Sequence, residues 1–322
     1  MTEGMRVELP GEGIEFGRGL AAALRKAGGV DLARAAHRDP GSRESVVLPI
    51  LEGSGVLELD ARDGLDELTA IAAACRAAGS VALPYPLAGR LAGALADAPG
   101  VAVVSAEAPA ADHADLMTGW TAITPEGSRA AIAGPAATRS AVSSRFAGGL
   151  VVGPWSAGDP APAVLLMLLQ GWSVLGSLDH ALSLTIRHSR DRVQFGHPIS
   201  EYQGIQFQLA DAFVELSALE VTCEDALSAY AANAASAVVD VLALRVATLE
   251  AAQKVLGVCH QVHGAIGFTD EHDLSWLTRY GHLVRRSPLG ASGTLALLTA
   301  EIERGGFRSL FPVPAYSGAA NG

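Results

Sequence analysis

Three stretches in the second half of the chain carry apolar residues every three or four positions, and this periodicity constrains the fold more than any other feature. The first covers residues 161–190. The second follows Pro198 and Ser200, with Tyr202, Ile205, Leu209, Phe213, Leu216, Leu219, Cys223 and Leu227 in step. The third covers 236–262, with Val239, Leu242, Val246, Leu249, Ala252, Leu256 and Cys259. A spacing of three and four places these side chains along one face of a helix. Two shorter helices are expected over 271–286 and 289–304. Long helices joined by short loops pack as an antiparallel bundle.

Upstream of the bundle the pattern changes twice. Residues 63–78 hold Leu65, Leu68, Ile71, Ala72 and Cys75 at helical spacing and end at Gly79, a plausible C-cap; Pro84 and Pro86 then forbid continuation. Short β-rich pieces follow at 101–104, 120–123 and 150–152, separated by turn residues such as Pro125-Glu126-Gly127. The expected fold is mainly α. It has an N-terminal helical region (1–98), a small β region (99–155) and a C-terminal four-helix-bundle-like domain (156–322).

Charge and composition exclude several functions. With 322 residues, 49% of them hydrophobic, the chain buries a core without difficulty. A net charge of −11 argues against nucleic acid and against an anionic membrane surface, both of which call for clustered positive charge. The apolar run at 161–178 is broken by Gln170, Gly171 and two serines, which fits a buried bundle helix and no membrane insertion. Cys75, Cys223 and Cys259 are far apart within helical patterns and read as buried free thiols. The first ten residues carry Glu3 and Glu8 and no apolar run, so the expected location is cytoplasmic.

Two segments, both at helix–turn–helix junctions, carry the chemistry. One is Arg192-Val193-Gln194-Phe195-Gly196-His197-Pro198-Ile199, followed by Tyr202-Gln203-Gly204. The other is Gln261-Val262-His263-Gly264-Ala265-Ile266-Gly267-Phe268. Arg192 offers a permanently charged planar fork suited to a pyrophosphate. Gly264 and Gly267 let backbone N–H groups approach a ligand. Gln203 and Gln261 both donate and accept, as adenine, ribose or flavin edges require. The alternative is two tight turns, with Ser200 and Gln203 forming a capping box. Cys259, His260, His263, Asp270 and His272 lie close in sequence but match no metal-ligand spacing, so no metal is expected.

These segments resemble the acyl-CoA dehydrogenase family, in which an R-x-Q-F-G-x-P-I-x-x-F-Q pattern and a Q-x-H-G-G-x-G-F pattern line the FAD site. The resemblance extends over residues 156–304 and, more loosely, over 64–87. It implies FAD as cofactor and an acyl-CoA thioester as substrate. Arg192 would then pair with the FAD pyrophosphate, Gln194, Phe195, Ile199 and Gln203 would flank the adenosine end, and Gln261, Gly264 and Ala265 would contact the cofactor from the second loop. In the family these contacts reach a flavin held mainly by a neighbouring subunit. Ala265 stands where the family has a second Gly. Residues 120–124 are similar to a flavin-side strand.

The chain departs from the family at the base. The family reaction takes a proton from the carbon beside the thioester carbonyl with a Glu, placed either on the loop after the helix that here holds Arg279 or on the first bundle helix. Here the loop 287–294 reads Ser-Pro-Leu-Gly-Ala-Ser-Gly-Thr, with no acid between Asp273 and Glu301, and the first-helix position falls near Leu166. Asp179 lies more than three turns from that position and reads as structural. No catalytic residue is therefore expected in this chain. With about 55 residues, the β region is also reduced relative to the family. Both features resemble the short subunits that pair with a catalytic paralogue in heteromeric enzymes of steroid-type lipid metabolism, so the expected partner is a paralogous acyl-CoA dehydrogenase subunit in an α2β2 assembly. A self-sufficient flavoenzyme with a relocated base, or a flavin-free structural paralogue, are the alternatives.

Overall fold

A computed structural model describes residues 9–136 and 147–305. The N-terminal part contains α1 (Gly11–Lys26), α2 (Asp31–Arg38), α3 (Leu48–Ser54), α4 (Leu65–Ser80) and α5 (Leu87–Ala92). Next come β1 (Val101–Val103), β2 (Ala110–Ala111), β3 (Thr121–Ile123), β4 (Arg129–Pro135) and β5 (Gly148–Val152). The bundle follows as α6 (Ala161–Asp191), a hairpin of β6 (Val193–Gln194) and β7 (His197–Pro198), then α7 (Gln203–Ala232), α8 (Val238–His263), α9 (Asp273–Tyr280) and α10 (Ala291–Gly305). The architecture is mainly α with a small strand region, as the periodicity predicts.

The 31-residue helix α6 is the axis of the molecule, packed by α4 on one side and by α7 and α8 on others. Its length and composition alone would let it cross a membrane, yet 89% of its apolar window is buried inside the protein. Its crossing with α4 depends on missing side chains. A Cβ at Gly79 would stand 1.8 Å from the Ser173 carbonyl oxygen, and one at Gly176 would stand 2.0 Å from that of Arg76. Only glycine permits so close an approach of two helix backbones. Arg76 then ties α4 to its neighbours through Glu220 on α7, at 2.5 Å, and Asp179 on α6, at 3.7 Å. Asp179 thus has a structural partner.

The sheet runs β1-β3-β4-β5-β2, with β1 and β3 parallel and the other pairs antiparallel. Along β4 exposed and buried residues alternate, so one face covers a separate small core of Val104, Met117, Trp120, Ala122, Ile132 and Leu150. Trp120 is buried in that core, where Gly89 and Gly100 make room for its ring.

Several details differ from expectation. The helix expected over 271–286 stops at Tyr280, and the chain continues in turns to Ser287. The cause is Arg245 of α8, whose buried guanidinium donates to the carbonyls of Val284 (3.1 Å), Ser287 (2.6 Å) and Leu289 (3.0 Å) and to Thr294 Oγ1 (3.2 Å). Those bonds are worth more to the buried charge than another helical turn. The Ser200–Gln203 capping box does not form. Ser200 sits in a single turn, Ile199–Glu201, and α7 begins afterwards with Tyr202 as its N-cap residue and no side-chain cap. Phe213, expected in the core stripe of α7, is 58% exposed. The buried line runs instead through Ala212, Leu216, Leu219, Cys223 and Leu227. All three cysteines are free and buried, and burial pushes the Cys75 thiol up to about 12 and that of Cys259 to about 11.

Candidate functional site

The two motif loops lie side by side at one end of the bundle. The last turns of α6 and α8 meet through a stack of imidazoles. The rings of His188 and His263 are 4.5 Å apart and nearly parallel, and His272 meets His263 edge-on at 4.5 Å. His263 is buried and donates from Nδ1 to the Cys259 carbonyl at 2.9 Å, which leaves its Nε2 without a proton or a partner. Burial depresses its basicity to about 4. These rings face one another rather than a common centre, and no group of three or more potential metal ligands exists among the described residues.

Arg192 caps α6 at its C-terminus. Its side chain is exposed, its carbonyl accepts from Ile199 N at 2.8 Å, and its guanidinium makes no ion pair among the described residues. The chain then turns through β6 and β7, and Phe195 and Gly196 at the tip have φ of +52° and +88°. A phenylalanine in the left-handed region, 92% exposed, is unfavourable both in backbone and in solvation. The hairpin is braced by Tyr202, whose hydroxyl donates to the Gln194 carbonyl at 2.9 Å. Gln194 and Gln203 are exposed, whereas Ile199 is buried and anchors the loop, so its side chain faces the protein.

On the second loop Gln261, Gly264 and Ala265 are all exposed. Gly264 adopts φ 63° and ψ −143°, which other residues avoid, and it stops α8 so that the chain can turn. Gln261 also lines a shallow groove with Gln208, Gln253 and Lys254. Large apolar side chains are exposed on both loops, Val193 and Phe195 on the first and Ile266 and Phe268 on the second, and also on α7 at Phe207 and Val214. A patch of this kind is unusual on a surface meant for water alone.

The second place of interest is a cavity of about 70 Å³ where the N-terminal helices, the sheet and the bundle meet. Leu166 of α6 and Ser287, at the start of the 287–294 loop, both line it, so the first-helix position and the edge of that loop are brought together. Gln170, Ser173 and Tyr280 are also on its wall. So is Asp112, which the sequence reading missed: it stands in an irregular loop with no motif around it. Burial raises its carboxyl well above the usual carboxylate range, with Arg285 pulling the other way. Arg285 is mostly buried beside Asp112 and donates to the Thr278 carbonyl at 3.1 Å.

Residues 168–301 match the family model described as "Acyl-CoA dehydrogenase, C-terminal domain". This match covers 134 of the 322 residues, all within the helical half of the chain. Among curated proteins, acyl-CoA dehydrogenase IpdE2 of Mycobacterium tuberculosis is 32% identical over 125 residues, 38% of this chain and 37% of that protein. The aligned part thus spans under two fifths of that relative. The acyl-CoA dehydrogenase-like fold extends further. A variant of the Tcur3481-Tcur3483 steroid ACAD superposes with TM-score 0.76 at 21% identity, covering 92% of this chain and 99% of that one. The ChsE4-ChsE5 complex from Mycobacterium tuberculosis gives 0.73 at 20% identity, covering 92% and 98%. The resemblance read from the two motifs therefore holds for the C-terminal domain, and the superpositions extend the acyl-CoA dehydrogenase-like fold over most of the chain.

Proposed function

We propose that this chain is a subunit of a FAD-dependent acyl-CoA dehydrogenase that contributes to flavin binding while a paralogous partner carries the catalytic Glu. One contrast carries the reading. The two motif loops are open to solvent and the Arg192 guanidinium makes no ion pair among the described residues, whereas the first-helix position near Leu166 and the 287–294 loop carry no acid, and Leu166 and Ser287 line a cavity of about 70 Å³. Engineered cavities about twice that size hold one benzene ring, so the space is small for an acyl thioester.

The residues present suit a dinucleotide. Arg192 supplies a bidentate charge for a pyrophosphate, Gly264 lets backbone come close, and Gln203 and Gln261 supply donors and acceptors for the adenosine end. Bound flavin would accept the hydride from the thioester's β-carbon. Gln194, Phe195 and Ala265 would hold and cover the cofactor at the interface, and Ile199 would fix the loop from beneath. The exposed apolar side chains on both loops favour a protein partner there, and the two structural neighbours, the Tcur3481-Tcur3483 steroid ACAD and the ChsE4-ChsE5 complex, are both described as pairs of chains.

A self-sufficient enzyme needs a base in this chain. Asp112 is the one acid lining the cavity, but burial favours its protonated form, which has no charge with which to take a proton. The test is a flavin spectrum and a dehydrogenation assay on the chain alone and on the chain with its paralogous partner. Flavin and turnover in the pair, with little of either in the chain alone, is the expected result. Full flavin and turnover in the chain alone overturns the proposal.

A further inference from the structure

Two side-chain oxygens at the junction cavity are buried without a hydrogen-bond partner among the described residues: Asp112 Oδ1 and Gln170 Oε1. They arrive from separate parts of the fold, Asp112 from the loop after β2 and Gln170 from the middle of α6. A buried acceptor left unpaired costs about 1–3 kcal/mol, and folded proteins keep few of them. Two on the wall of one small cavity indicate that its occupant donates hydrogen bonds. Leu87, Val103, Met117, Leu166 and Val284 make much of the remaining wall apolar. The residue after Asp112, His113, has φ of +54°, so the backbone is held in an unfavourable conformation where the carboxyl is presented.

The geometry points to a binding site for the hydroxyl group of a mostly apolar molecule, held by Asp112 and Gln170. The chemistry selects a hydroxyl over its competitors. In the protonated form that burial favours, the Asp112 carboxyl offers one donor and one acceptor, and the Gln170 oxygen only accepts. A hydroxyl can donate to one while accepting from the other. A ketone accepts from Asp112 but leaves Gln170 Oε1 bare. An ammonium group requires Asp112 ionised and meets the positive field of Arg285, which already acts on that carboxyl. About 70 Å³ suits a hydroxyl with a few carbons, and the cavity is partly open to its surroundings. The site needs neither flavin nor partner, so it stands or falls separately from the function proposed above.

The test uses the full chain and three small probes of one size: 2-propanol, acetone and isobutane. Binding is followed by ligand-observed NMR at neutral pH, with titration calorimetry for the two soluble probes. 2-Propanol should bind saturably and about tenfold or more tighter than either of the others, because a site built for a hydroxyl is left with unpaired groups by its analogues. Asp112→Leu and Gln170→Leu should each remove that preference, with melting temperature recorded to show that the variants fold. Equal affinity for the three probes overturns the assignment. So does the absence of saturable alcohol binding, which would mean a water-filled cavity only, and so does a preference that survives in folded Asp112→Leu. Should neither variant fold, the three-probe comparison on the unaltered chain decides alone.

Discussion

The bundle end and the junction cavity are built from the same helices and treated in opposite ways. At the bundle end, Arg192, Gln194, Phe195, Gln203 and Gln261 all face outward, and the chain tolerates a left-handed phenylalanine to keep the hairpin open. At the junction, Leu166 is 3% exposed, Arg245 ties down the loop through Ser287, and little space is left. The first surface leaves charge and aromatic rings in water, whereas the second encloses only enough space for a small molecule.

The largest effect that could break this comparison lies outside the chain. In the assembled pair, replacing the partner's catalytic Glu by Gln should lower dehydrogenation by about 10²–10⁴-fold, as loss of a general base does. A smaller loss in a steady-state assay would place a working base in this chain. Arg245→Met comes next, because it strips four acceptors in the 284–294 loop of their common donor. Stability should fall by about 3 kcal/mol or more in urea unfolding. If it does not, the loop is held by something other than Arg245.

At the open end the expected changes are milder and specific to the cofactor. Arg192→Ala should weaken flavin retention in the pair about tenfold, measured by flavin fluorescence on dilution, with the melting temperature of the flavin-free protein unchanged. Arg192→Lys should recover only part, since a point charge does not reproduce the planar fork. Unchanged flavin content in Arg192→Ala would remove Arg192 from the site.

The imidazole stack links that end to pH. His263 is depressed to about 4 in the folded chain, against an ordinary value near 6.5. Above about 6.5 it is neutral in both states and contributes no pH dependence. As pH falls below that, the unfolded chain takes up a proton that the folded chain refuses until about 4, so stability declines across this window by at most ~1.4 kcal/mol per pH unit. His263→Gln should flatten the decline in urea midpoints between pH 7 and 5. An unaltered slope would show that the stack does not control it. The smallest effect is expected from Ser292→Ala, on the exposed start of α10, which should leave dehydrogenation in the pair within error.

Much of the fold was legible in the sequence because periodicity of three and four is a local property of the chain. The long helices α6, α7 and α8 and the strands β1, β3 and β5 fall where apolar spacing and turn residues put them. The two loops were legible for a similar reason, since each motif is contiguous and glycine marks its turn. What failed were features set by distant partners. Helix α9 ends early because Arg245, far away in sequence, takes the carbonyls that follow it. Phe213 fits the stripe of α7 by spacing, yet it lies on the outer face, because α6 and α8 fix which side of α7 is inside.

The sequence by itself determined the helical class, the outward-facing loops around Arg192 and Gly264, and the lack of an acid at either position where the family keeps its base. The tertiary structure alone decided that Leu166 and Ser287 share one wall, that the space between them is small, and that Asp112 and Gln170 face it with oxygens unpaired. Asp112 is separated from Gln170 by 58 residues and from Arg285 by 173. Their environment arises only when the sheet closes over the bundle, because burial and pairing belong to the surroundings of a carboxyl and not to its neighbours along the chain.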